Sequence, residues 1–217
     1  MRFEFARQAL IASGLGDENE IAEYLSRLFS LSEGFKAYED TPSQVFERAR
    51  RLFDWLWRDN PARYRSQGNF RLNRVIDGQV KGGGVAVGNC LGLTLLYNCL
   101  LRNIGIRADA LYLEKAFDQS PHLLTSLKTD KIRIDIENIL PEGFDYRGHR
   151  DEPSRTIWND RELVADIYHS AGNELFMEGK FQEALANYEK ALDLNPRYER
   201  AILNRAILLD RINMQEK

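Results

Sequence analysis

Apolar positions recur at helical spacing along most of this chain and alternate only in its middle. Phe3, Phe5, Ala6 and Leu10 predict a short helix over residues 1–13, broken by Gly14-Leu15-Gly16. Ile21, Leu25, Leu28 and Phe29 fall at i, i+4, i+7 and i+8 and predict a second helix from Asp17 to Leu31, its pattern ended by Gly34. Thr41-Pro42-Ser43-Gln44 marks a third helix start: Thr41 caps, Pro42 suits the first helical position, and Gln44 completes a capping box. That helix is expected to bury Val45, Ala49, Leu52, Phe53 and Leu56 and to stop at Asn60-Pro61. Residues 64–87 are rich in turn residues (Gln67-Gly68-Asn69, Asp77-Gly78, Gly82-Gly83-Gly84) and predict irregular chain. A dense apolar run from Leu91 to Leu101 then predicts a buried central helix, closed at Asn103-Ile104-Gly105 where Gly105 suits a left-handed cap.

Alternation begins at Ile106 and predicts a strand to Glu114, followed by a hairpin of residues 122–127 and 132–138. With Thr129-Asp130 at the centre of its turn, Leu123, Thr125, Leu127, Ile132, Ile134 and Ile136 share one face. His122, Leu124, Ser126, Arg133, Asp135 and Glu137 share the other, with His122 opposite Glu137 and diagonal to Asp135. A one-residue slip would destroy this sorting. Residues 139–159, with Pro141, Gly143, Gly148 and Pro153, predict a surface connection that leaves His149 in solvent.

A length of 217 residues and 43% hydrophobic content fit one domain with a core plus a small appendage. The formal charge of −3 gives no global reason to expect nucleic acid or a membrane surface. Met1-Arg2-Phe3-Glu4 lacks the pattern of a signal peptide and no apolar run reaches the length of a membrane span, so a cytoplasmic protein is expected. Eight arginines (48, 50, 51, 58, 63, 65, 71 and 74) lie between Glu47 and Arg74, with Trp55, Trp57, Tyr64 and Phe70 among them. They suit a nucleic-acid or acidic-partner patch, or the solvated face of one helix and its loop. The second explanation is preferred because nothing else in the chain is basic, and no nucleic-acid partner is expected.

The candidate chemistry centres on Cys90. It falls in the first turn of the central helix, where free amides favour a thiolate and so a nucleophile. The alternative is a small buried residue at a helix start. Cys99 lies nine positions on, about 900° around the helix, so the two thiols face opposite sides. They have no metal-ligand spacing, and no metal or cofactor is expected. Gly82 to Gly84 is not a phosphate loop, since no Gly-Lys-Ser/Thr follows; close backbone approach near the thiol is its expected use. Of the three histidines, His122 is the one that the hairpin sets beside a carboxylate, Asp135 or Glu137. Either acid can orient the imidazole while its other nitrogen faces the thiol.

The ordered set Gly88-Asn89-Cys90, then Leu100-Leu101-Arg102-Asn103-Ile104-Gly105-Ile106-Arg107-Ala108, His122-Leu123-Leu124 and Ile134-Asp135 resembles the transglutaminase-like superfamily over about residues 40–140. The resemblance implies an α+β, papain-like core: a central helix on a small antiparallel sheet, here preceded by helices and followed by an α-helical repeat. It aligns Cys90 with the nucleophile, His122 with the base and Asp135 with the orienting acid, Glu137 being the alternative acid. Gly88 and Asn89 fall beside the oxyanion position. Many active members carry an aromatic residue shortly after the histidine, where this chain has Leu123 and Leu124.

Residues 165–196 resemble one tetratricopeptide repeat, through Tyr168, Ala171-Gly172, Leu175, Gly179-Lys180-Phe181, Ala184, Tyr188, Ala191 and Pro196. Gly172 and Ala184 are small enough for two antiparallel helices to pack closely, and Pro196 ends the second. Residues 197–213 predict a third helix, a cap or a partial second repeat, and His169 is expected to be structural or exposed. A lone repeat leaves a face to dock on the main domain or on another copy, which admits a homo-oligomer. The expected plan is a transglutaminase-like domain at residues 1–150 and the repeat with its capping helix at 160–217. The implied function is cysteine-dependent acyl transfer, by hydrolysis or transfer of an amide or ester, with the repeat docking a protein or peptide substrate or partner. The alternative is an inactive scaffold of the same fold that binds a protein or peptide through the repeat.

Overall fold

The first two apolar stripes form α1 (Glu4–Ala12) and α2 (Glu18–Tyr38). Asp17 Oδ1 accepts from the Asn19 and Glu20 amides, both at 2.9 Å, and starts α2. In this computed structural model, which describes residues 3–38, 44–117, 120–129 and 132–215, the chain divides into two units, residues 1–159 and 160–217. Helix α2 runs on through Gly34, where the sequence pattern ends it. Phe35, fully buried with its ring 5.9 Å from that of Trp55, outweighs the poor helix propensity of one glycine.

Helix α3 (Val45–Asp59) buries Ala49, Leu52, Phe53, Trp55, Leu56 and Trp57, while Val45 is exposed, contrary to expectation. The expected capping box at Thr41-Pro42-Ser43 lies outside the described residues, and Gln44 makes no side-chain cap bond. The turn-rich stretch holds a further helix, α4 (Leu72–Lys81), in place of irregular chain. Leu72, Val75, Ile76 and Gln79 form its buried stripe. Gly78 imitates a turn signal, but it is small because a Cβ there would lie 3.1 Å from Val87 Cα. Gly82 to Gly84 all have positive φ and nothing within 4 Å of a built Cβ, so the run turns the chain and makes no close approach. Helix α5 (Cys90–Asn103) is buried over most of its length and packs on α2, α4 and the sheet.

The sheet comprises β1 (Ala108–Ala116), β2 (Ser120–Lys128), β3 (Arg133–Ile136) and β4 (Thr156–Trp158), antiparallel in the order β3-β2-β1-β4. Strand β4, within the stretch expected to be a surface connection, pairs Ala110 with Trp158, and the Trp158 indole stacks on Tyr112 with centroids 4.2 Å apart. Both faces of β2 are covered. On one, Thr125 donates to Asn98 of α5 at 2.8 Å and Thr94 donates to the Leu123 carbonyl at 3.2 Å. On the other, Leu124 packs with Leu111, Leu113 and Ala116.

The register of β2 and β3 differs from the expected one by two residues. Ser126 pairs with Asp135 and Leu127 with Ile134. Thr129 and Ile132 close the turn, the Thr129 amide donating to the Ile132 carbonyl at 2.8 Å, so its centre lies one residue later than Thr129-Asp130. A shift of two keeps every side chain on its expected face.

In the second unit, α6 (Asp160–Met177), α7 (Phe181–Leu194) and α8 (Glu199–Gln215) follow in sequence. Gly172 lets α7 approach α6, since a Cβ there would meet the Tyr188 ring at 2.6 Å. Ala184, Tyr188 and Leu208 form the small core. His169 is buried and structural: it contacts the Tyr198 hydroxyl at 3.1 Å through Nδ1 and Asn204 at 3.0 Å through Nε2.

Candidate active site

Cys90 is the first residue of α5 and is half-buried. Asn89 precedes it in extended conformation and caps the helix, its Oδ1 accepting from the Gly92 amide at 3.0 Å. The backbone before the thiol is held from two sides. The Arg63 carbonyl accepts from the Val87 and Gly88 amides at 2.8 and 3.1 Å, and the Asn69 carbonyl accepts from the Asn89 amide at 3.0 Å. Gly92, one turn into the helix, has no room for a side chain: a Cβ would lie 2.4 Å from the Asn69 oxygen. The close approach expected of the glycine run is therefore found at Gly88 and Gly92.

His122 stands at the start of β2, opposite Leu113 of β1, and is 6% exposed. Its Nε2 is 2.7 Å from Glu137 Oε2, and the Cys90 thiol acts on the same imidazole. Burial opposes charge on the imidazole, but the bonds to Cys90 and Glu137 outweigh it and raise His122 to about 10. Glu137 is fully buried. Burial alone would raise its carboxyl; the histidines His122 and His149, with the Ile139 amide at 3.4 Å, lower it instead. An imidazolium–carboxylate pair satisfies both residues.

Asp135 is not the carboxylate beside His122. It pairs with Arg155 Nη1 at 2.9 Å. The register explains this: Asp135 faces Ser126, four positions along β2 from His122 and thus ~13 Å away. Glu137, the alternative acid, lies just beyond β3 and stays within reach.

His149 corrects another expectation: it is 7% exposed, not solvated. Residues 143–146 fold back along β3, with the Glu137 amide donating to Gly143 O and the Tyr146 amide to Asp135 O, each at 2.8 Å. This brings His149 Nε2 to 3.5 Å from Glu137 Oε2. Phe117, at positive φ after β1, sets its ring edge-on to both imidazoles, with centroids 5.3 Å from His122 and 4.8 Å from His149. Sequence reasoning found neither residue; the one available signal was the apolar Ile139-Leu140 followed by Pro141-Glu142-Gly143, a turn returning the chain to the sheet.

A family model described as a TPR repeat matches residues 172–211. Such a repeat supports binding of a protein partner. No curated protein and no solved structure matches the chain. That match lies outside residues 1–159, where the thiol, imidazole and carboxylate are found. Among the described residues, no helix is long and apolar enough to cross a membrane.

Proposed function

We propose that the chain is a cysteine-dependent acyl-transfer enzyme whose nucleophile, base and orienting acid are Cys90, His122 and Glu137. The observation that carries this is the chain of neighbours from thiol through imidazole to a fully buried carboxylate, the last two 2.7 Å apart. A packing cysteine has no use for such a chain, and the likeness of residues 40–140 to transglutaminase-like proteins supports it from the sequence side. The sulfur, its proton already held by the His122 imidazolium, attacks an amide or ester carbonyl. His122 then donates that proton to the departing amine or alcohol, leaving a thioester. Water or an amine, deprotonated by His122, attacks the thioester and releases Cys90. Glu137 keeps Nε2 engaged and Nδ1 turned to the sulfur. The first-turn amides of α5, with Gly88 and Asn89 shaping the turn before them, stabilise the oxyanion.

The repeat supports a companion role, docking a protein or peptide substrate or partner. Met177, Ile207 and Met214 leave an apolar groove beside α6 and α8 exposed. The test is labelling by an acylating, thiol-directed probe. Cys90→Ala is expected to abolish the acyl-enzyme and Cys99→Ala to keep it; equal labelling of both variants would overturn the proposal. An Ile207→Glu variant separates the roles: loss of a captured partner with labelling intact assigns docking to the repeat.

A further inference from the structure

The carboxylate of Glu137 serves two histidines, and the acyl-transfer proposal uses one. One ring nitrogen each from His122 and His149 and an oxygen of Glu137 all lie within 4.8 Å of one another, and all three residues are buried. His149 Nε2 is buried 3.5 Å from Glu137 Oε2, at the edge of reach, and makes no well-formed hydrogen bond. A buried ring nitrogen left so is unusual and costly, and it suggests a ligand that takes its lone pair. Two imidazole nitrogens and one carboxylate oxygen are the donor set that suits Zn2+ and its neighbours in the transition series.

We propose that His122, Glu137 and His149 form a binding site for a divalent transition-metal cation of the Zn2+ class. The cation bonds to Nε2 of each histidine and to Glu137, at separations that need only a small spreading of the His122–Glu137 pair. Neither ring can then carry a proton on Nε2. The fourth position is open to water. Cys90 stays outside the coordination sphere, because its sulfur does not join the cluster of His122, Glu137 and His149. Phe117 is 55% exposed and touches both imidazoles, so movement of one ring opens an entry path.

The consequence is a competition for His122. With Nε2 on the cation, the ring's remaining proton sits on Nδ1 and faces the sulfur, so His122 cannot accept the thiol proton. Cation binding and the proton transfer at Cys90 exclude one another.

The test uses the full chain stripped by a chelator, titrated with Zn2+ by calorimetry and with Co2+ by visible absorption. One equivalent of Zn2+ is expected to bind and to slow alkylation of Cys90. His149→Asn should weaken binding on the order of 100-fold or more, while Asp135→Asn should not. The Co2+ spectrum should report nitrogen and oxygen donors without a thiolate charge-transfer band. Absence of saturable binding, unchanged binding in His149→Asn, or a band that disappears with Cys90→Ser would overturn the inference. Should His149→Asn fail to fold, the spectrum of the unaltered chain decides. Probe labelling in chelator reports on the acyl-transfer proposal by itself, so the failure of one is distinguishable from the failure of the other.

Discussion

The helical tail and the sheet-bearing unit use glycine alike and position their polar groups differently. In the tail, Gly172 admits the Tyr188 ring and three consecutive helices pack each on the next, so the arrangement follows from local spacing. In the larger unit, Gly92 admits the backbone of a distant loop, and the site needs a helix start, a strand start, the residue after β3 and a returning loop. A repeat can be recognised from small residues at fixed offsets. A site assembled across strands depends on register, and register depends on one turn.

The sharpest test of that dependence is the pair of acids. Glu137→Gln is expected to slow acylation of Cys90 on the order of 100-fold, since the amide no longer matches the imidazolium. Asp135→Asn should change the rate by less than about threefold, within what a distant positioning residue usually does. The reverse ranking, in a stopped-flow assay with the same probe, would restore Asp135 as the partner of His122.

The two glycines break the comparison differently. Gly92→Ala should destabilise the larger unit by about 2 kcal/mol in chemical denaturation, because the carbonyl it strikes belongs to a held backbone. Gly172→Ala meets the edge of a side-chain ring that can tilt, and part of the cost is offset by the ~1 kcal/mol that alanine gains in a helix. A loss of about 1 kcal/mol in the tail is expected. Equal losses at the two sites would show the Tyr188 ring to be as fixed as the Asn69 backbone.

The smallest effect concerns Arg63, buried to 1% exposure beside Trp57, with Nε and one terminal nitrogen lacking partners. Burial lowers it to about 9. Its carbonyl, not its side chain, holds Val87 and Gly88. Arg63→Met should therefore leave acylation intact and stability unchanged or higher by ~1 kcal/mol, as when a buried charge gives way to an apolar side chain. A loss above about 2 kcal/mol would show that the guanidinium stabilises the fold.

What the residues determined by themselves is local. The buried stripes of α1, α3 and α5 and the sorting of β2 and β3 residues onto two faces follow from periods of 3.6 and 2, and the packing glycine of the tail from its offset in the repeat. Tertiary structure alone decided that Gly34 and Gly78 lie inside helices, because buried neighbours outweigh propensity there. It alone decided that His149 is buried and that Glu137, not Asp135, meets His122. The physical reason is that alternation repeats every two residues. Shifting a hairpin by two leaves the pattern of buried and exposed positions untouched, yet moves Asp135 from the diagonal of His122 to face Ser126, beyond hydrogen-bond reach, while Glu137 stays within it.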